Sequence, residues 1–224
     1  MKPYLLAHRG GDCFGPENSQ QAIEASLKYK MDIIEIDVRE SSDGILFCYH
    51  GYVLEFLFAR FYFKKPYQQL KEKYLSLLTL EEAVALVQDK AILFIDVKDN
   101  NINPSKLITQ IKQGKSNQVY IASQSLDFLK KMGSLPKTWR KVCNGGILFL
   151  KLKLHELLAS DIDIIELWWW DYSKKNRVLL KSHDISTALA RWLFPRKKYI
   201  TTCFSTESHC VSDYDIPKLK EAYP

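Results

Sequence analysis

The chain has 224 residues, 46% hydrophobic and 26% charged, with a net charge of +6. That size and balance suit one soluble globular domain. The charge fits an anionic small molecule or membrane surface and is too weak to argue for nucleic acid. No run approaches the ~18 apolar residues of a membrane span, and the first apolar stretch ends at His8, too short for a secretory signal. Cys13, Cys48, Cys143, Cys203 and Cys210 are scattered without CxxC spacing, as expected of reduced thiols in a cytoplasmic protein.

In chain order, "YLLAH" (4–8) reads as a buried strand. "PENSQQAIEASLKYK" (16–30) reads as a helix packed through Ala22, Ala25 and Ser26, with Ile23 and Leu27 beside them. "DIIEIDV" (32–38) is a second strand, and "ILFCYH" (45–50), set off by Asp43-Gly44, a third. Residues 51–76 form a short insertion, aromatic and apolar first and then basic. "TLEEAVALVQDK" (79–90) is a helix with Thr79 and Glu82 at capping-box spacing, and it leads into the strand "AILFIDVK" (91–98). Helices near 104–114 and 124–132 precede the strands "QVYIAS" (118–123) and "WRKVC" (139–143). "DIDIIEL" (161–167) and "KYITTCF" (198–204) complete eight strands. No repeat or linker divides the chain, so residues 1–224 are expected to form a single α/β domain, a (β/α)8 TIM barrel.

The six residues 39–44 leave two readings of the second and third strands. Either they run back down the barrel wall to a parallel strand, or the strands form a hairpin. The hairpin would put Asp37 and His50 at opposite ends of the strand pair.

Alternation along a strand puts Glu35 and Asp37 on one face, and Asp96 and Lys98 on one face. Buried strands this apolar should not end in carboxylates unless these are paired, hydrated or bound to a cation. Three acids converging with one lysine suit an oxygen-ligand site for Mg2+ or Ca2+. His8 and His50 also fall at strand ends, on the rim where barrels gather catalytic groups.

These stretches, "AHRGG" with "PENS", "EIDV", "DG", "YHG" and "IDVK", resemble the glycerophosphodiester phosphodiesterase family over roughly 4–51 and 77–135. The resemblance implies a metal-dependent hydrolase that releases glycerol 3-phosphate and an alcohol. His8 and His50 would be the acid/base pair, and Glu35, Asp37 and Asp96 would hold the divalent metal. Arg9 and Lys98 would contact the phosphodiester, Glu17 would brace Arg9, and Asn18 would support the loop. In the mechanism inferred for this superfamily, the substrate's own neighbouring hydroxyl can attack first and give a cyclic phosphate.

Asp96 stands where the family usually has glutamate. That feature, with "YHG" around His50, resembles the related phospholipase D toxins of spider venom. A lysophospholipase D-type enzyme acting on lysophospholipids is therefore the first alternative. A catalytically weak barrel that binds glycerophosphodiesters or a protein partner is the second. Residues 52–65, with Phe56, Phe58, Phe61 and Phe63 near Lys64 and Lys65, read as a helix on the barrel or as an amphipathic lip for peripheral membrane contact. The three tryptophans of "ELWWWDYS" (166–173) divide between core and rim, and the likeness fades after about residue 135. Cys203, His209 and Cys210 fit no common zinc spacing, and His155, His183 and His209 read as surface residues.

Overall fold

The computed structural model describes residues 4–51, 65–144, 155–158, 160–168, 173–190, 210–213 and 217. Its strands are β1 (Tyr4–Ala7), β2 (Ile33–Glu40), β3 (Leu46–Cys48), β4 (Leu78–Thr79) and β5 (Ile92–Val97). They continue with β6 (Val119–Ser123), β7 (Trp139–Asn144), β8 (Ile164–Trp168), β9 (Ser186–Ala190) and β10 (Cys210–Asp213). All but β3 and β4 are parallel. β1 pairs with β2 on one side and β10 on the other. The ring continues through β5, β6, β7, β8 and β9 back to β10. The sheet thus returns to its first strand, as a (β/α)8 barrel requires.

Strands buried on both faces must be apolar on both faces. Leu6, Ile33, Ile92, Phe94, Tyr120, Ala122, Val142 and Ile164 fill the barrel interior. The alternate residues Leu5, Ala7, Ile34, Ile36, Leu93, Ile95, Ile121 and Ile165 belong to the outer core. Each fully buried Leu or Ile stabilises the fold by roughly 1.5–3 kcal/mol over exposure.

The helices covering that outer layer are α1 (Gln20–Lys28), α2 (Tyr67–Lys73), α3 (Leu80–Val87), α4 (Pro104–Gln113), α5 (Leu126–Lys131) and α6 (Lys174–Lys181). α1 begins four residues later than its apolar pattern suggests, because Ser19 accepts the Ala22 N–H at 3.2 Å as N-cap. Residues 16–18 therefore stay in a loop. The capping box of α3 forms as expected, Thr79 Oγ1 accepting from Glu82 N–H (3.1 Å) and Glu82 accepting from Thr79 N–H (2.7 Å).

The stretch 45–50 is not a barrel stave. β3 pairs antiparallel with the end of β2, Val38 opposite Cys48 and Glu40 opposite Leu46. The hairpin nevertheless does not separate Asp37 from His50. β2 overruns Asp37 by three residues, so the returning arm brings the chain back level with it, and Tyr49 N–H donates to Asp37 O at 3.0 Å. The missing staves are β9, whose small residues "STALA" carry little apolar signal, and β10. The expected strand 198–204 and the lip at 52–64 lie outside the described residues.

A buried arginine fixes the hairpin. Arg39, 3% exposed, pairs with Asp99 (Nη1 to Oδ1, 2.6 Å) and donates from Nη2 to His50 O (2.9 Å). Asp99 also accepts Glu40 N–H at 3.1 Å. Replacing Arg39 by Met should cost about 2–3 kcal/mol in urea denaturation, since a hydrogen-bonded charge is removed and its partners stay behind.

Candidate active site

β1 stops at Ala7, and the chain reverses at once through the 3₁₀ turn His8–Gly10. Arg9, Gly10 and Gly11 all take left-handed conformations (φ 50, 77 and 99°), and Gly11 N–H donates back to His8 O at 2.8 Å. A Cβ on Gly10 would also sit 3.0 Å from Ile23 Cγ1, so the position needs glycine twice over. The reversal points Arg9 N–H at Glu35 Oε2 (2.5 Å) and the Arg9 guanidinium at Glu17 Oε2 (2.6 Å).

Asp37 is fully buried on the inner face of β2. Asn18, itself left-handed at φ 58°, grips it with a two-point clasp: Nδ2 donates to Asp37 Oδ2 (2.8 Å), and Oδ1 accepts Asp37 N–H (2.9 Å). Lys98 Nζ lies 2.8 Å from Asp37 Oδ1 and donates to Asp96 Oδ2, while Arg9 Nε lies 3.9 Å from Asp37 Oδ2. Glu35, Asp37 and Asp96 bring carboxylate oxygens within 4.8 Å of one another. The shorter side chain of Asp96 thus still reaches the cluster.

The electrostatics follow from that crowding. Burial pushes the Asp37 carboxyl up, but Lys98, then His50 and His8, outweigh it and hold Asp37 well below the usual range. Glu35 is raised well above its ordinary value, first by burial and then by the Asp37 charge. Asp96 is raised by burial, with Lys98 opposing and Asp37 adding to the rise. Burial lowers His8 to about 3 and His50 to about 4, each against the pull of Asp37. Both imidazoles are therefore neutral at neutral pH. His50 Nδ1 faces Gly51 O at 2.7 Å, which only an N–H can do, so Nε2 is left as the acceptor.

Three carboxylates, one a buried glutamate that charges reluctantly beside two more acids, form a hard oxygen set with a deficit of positive charge. Those donors fit Mg2+ or Ca2+. The structure brings all nine residues expected from the sequence to one rim of the barrel. Arg39 and Asp99 were not among them, and neither was Glu166 on β8. Burial and the Asp96 charge, opposed by Lys98, raise Glu166 to about 7. Its signal was available: Glu166 stands two residues after Ile164, and Ile164 is in the barrel interior. Trp169 and Trp170 lie outside the described residues. Cys13 is exposed and Cys48 and Cys143 are buried, and His155 and His183 are exposed. Among the described residues no helix is long and apolar enough to cross a membrane.

Fold and site together define a (β/α)8 protein with an anionic, cation-ready centre and flanking histidines at the C-terminal rim. A sequence profile of the glycerophosphoryl diester phosphodiesterase family matches residues 8–142. The chain belongs to that family. It is 29% identical over 161 residues to a glycerophosphodiester phosphodiesterase of Bacillus subtilis, a match covering 58% of this chain and 55% of that one. It is 28% identical over 181 residues to an uncharacterized protein of Mycoplasma genitalium, covering 71% of this chain and 72% of the other. In fold it is similar to an Oleispira antarctica phosphodiesterase solved with the product sn-glycerol-3-phosphate. That likeness has a TM-score of 0.81 at 18% identity, over 99% of this chain and 96% of that one.

Cation binding should release protons, because Glu35 holds its proton well above its ordinary value and must lose it to become a ligand. Mg2+ or Ca2+ affinity should accordingly rise with pH and fall as the solution is acidified. Calorimetry in two buffers of different ionisation enthalpy would read the proton release directly.

Proposed function

We propose that this chain is a metal-dependent glycerophosphodiester phosphodiesterase, hydrolysing glycerophosphodiesters to glycerol 3-phosphate and an alcohol. One observation carries the reading: the carboxylate trio, Arg9 and Lys98 meet at a single point flanked by two neutral histidines. A phosphodiester resists attack because its anionic oxygens repel a nucleophile. Arg9 and Lys98 offset that charge, and more so as it builds in the transition state. A divalent cation on Glu35, Asp37 and Asp96 would add Lewis-acid charge at the phosphoryl oxygens.

His50, with its proton on Nδ1, is in the form that accepts a proton from the attacking hydroxyl at Nε2. His8 then serves as the acid, taking up a proton from solvent as the anionic phosphate arrives beside it and giving that proton to the leaving alkoxide oxygen. Glu17 holds the Arg9 guanidinium, and Asn18 holds Asp37 in place for the cation.

Purified protein should release glycerol 3-phosphate from glycerophosphodiesters in a reaction that stops on complete metal removal and returns with Mg2+ or Ca2+. His8→Ala and His50→Ala should each lose roughly 10²-fold or more in kcat. Full activity after chelation would refute the metal assignment. A loss well below that in either variant would demote that histidine to a structural role.

A further inference from the structure

Glu166 and Asn144 are not accounted for by the proposed phosphate and metal chemistry. Both end interior positions on neighbouring strands: Val142 and Ile164, two residues earlier, lie in the barrel interior, while Cys143, Ile165 and Leu167 lie in the outer core. They stand opposite one another in the β7–β8 register. Among the described residues the Glu166 side chain makes no hydrogen bond and no ion pair, and Asn144 Oδ1 is buried with no hydrogen-bond partner. Glu166 is near enough to the catalytic side for Asp96, Lys98 and Asp37 to act on its carboxyl. The intervening strand, β6, presents only the methyl group of Ala122 at the Asp96 level.

The two sides of the barrel mouth therefore differ in how their polar groups are partnered. On the side of β1, β2 and β5, Arg9 and Lys98 are paired with Glu17, Asp37 and Asp96, the cluster proposed to meet the phosphate and the cation. On the side of β7 and β8 stand two acceptors, the Glu166 carboxyl and Asn144 Oδ1, with no donor hydrogen-bonded to either among the described residues. Asn144 Oδ1 is buried, so the lack of a donor leaves its desolvation uncompensated. A ligand that relieves both sides carries a phosphate at one end and a cationic N–H donor a short distance away.

Resting on the phosphodiesterase reading, we propose that Glu166 and Asn144 form the head-group subsite and select a diester whose leaving alcohol bears a primary ammonium, as in glycerophosphoethanolamine. The ammonium offers three donors and a full charge, enough for the Glu166 carboxylate and Asn144 Oδ1 together. A quaternary head group, as in glycerophosphocholine, brings the charge without the N–H donors. A neutral polyol head group brings donors without the charge. The order of preference expected is glycerophosphoethanolamine, then glycerophosphocholine, then glycerophosphoglycerol.

The test compares kcat/KM for these three diesters in wild type, Glu166→Gln and Asn144→Ala, with Mg2+ affinity measured by calorimetry. Glu166→Gln should lower kcat/KM for glycerophosphoethanolamine roughly tenfold or more relative to its effect on glycerophosphoglycerol, with Mg2+ affinity as in wild type. Asn144→Ala should narrow the preference of ethanolamine over choline, since it removes an acceptor and no charge. Equal effects on all three diesters would overturn the subsite. So would a polyol preference in wild type, and so would weakened Mg2+ binding in Glu166→Gln, which would make Glu166 a metal ligand. Wild type turning over none of the diesters would overturn the phosphodiesterase reading itself, a result separable from the others.

Discussion

A carboxylate with no exposed surface, Asp37, sets the terms for everything around it. An isolated buried charge is prohibitively costly, and breaking a buried pair by removing one partner costs about 3–5 kcal/mol. Asp37 is kept ionised by an amide clasp from Asn18, by Lys98 against one oxygen, and by the nearby Arg9 guanidinium. On the proposed function, two of these neighbours, Arg9 and Lys98, are also the groups that would meet a bound phosphate. Stability of the charged state and readiness for an anionic substrate thus draw on one set of side chains.

The irregular backbone of the rim serves that arrangement. Two non-glycine residues there are left-handed, Arg9 and Asn18, at a cost of about 1–2 kcal/mol each, with asparagine the milder case. One turns the Arg9 N–H onto Glu35, and the other turns its own side chain onto Asp37. The overrun of β2 is a third departure from regular barrel geometry. It lets an antiparallel arm, clamped by Arg39 and Asp99, bring His50 back to the level of Asp37. Asp96, where the family usually has glutamate, is joined to Asp37 through Lys98.

Much of this was legible in the sequence because it follows from parity. Glu35 with Asp37, and Asp96 with Lys98, had to share faces, and the apolar strands beneath them had to be buried. The spacing of Thr79 and Glu82 likewise specified a cap that forms. The hairpin was harder, since six linking residues are compatible with two directions, and only the overrun of β2 reveals that either end of the pair can meet Asp37. β9 was missed because "STALA" is too small and mixed to stand out from a loop. Glu166 is harder to read because the apolar run continues past it into three tryptophans and so does not mark a strand end, although the parity that places Glu35 on the inner face places Glu166 there too. Asn18 was read as loop support, and its grip on Asp37 depends on a left-handed backbone that a bare sequence does not display.

On the proposed function the three carboxylates hold a cation while Arg9 and Lys98 face the phosphate beside it. Anomalous diffraction from crystals grown with Mn2+ and glycerol 3-phosphate would locate both. A single strong peak bounded by Glu35, Asp37 and Asp96 is expected, with phosphate oxygens within hydrogen-bond distance of Arg9 and Lys98. A cation bound elsewhere, or none with Lys98 still joining Asp37 to Asp96 in the presence of both ligands, would contradict it.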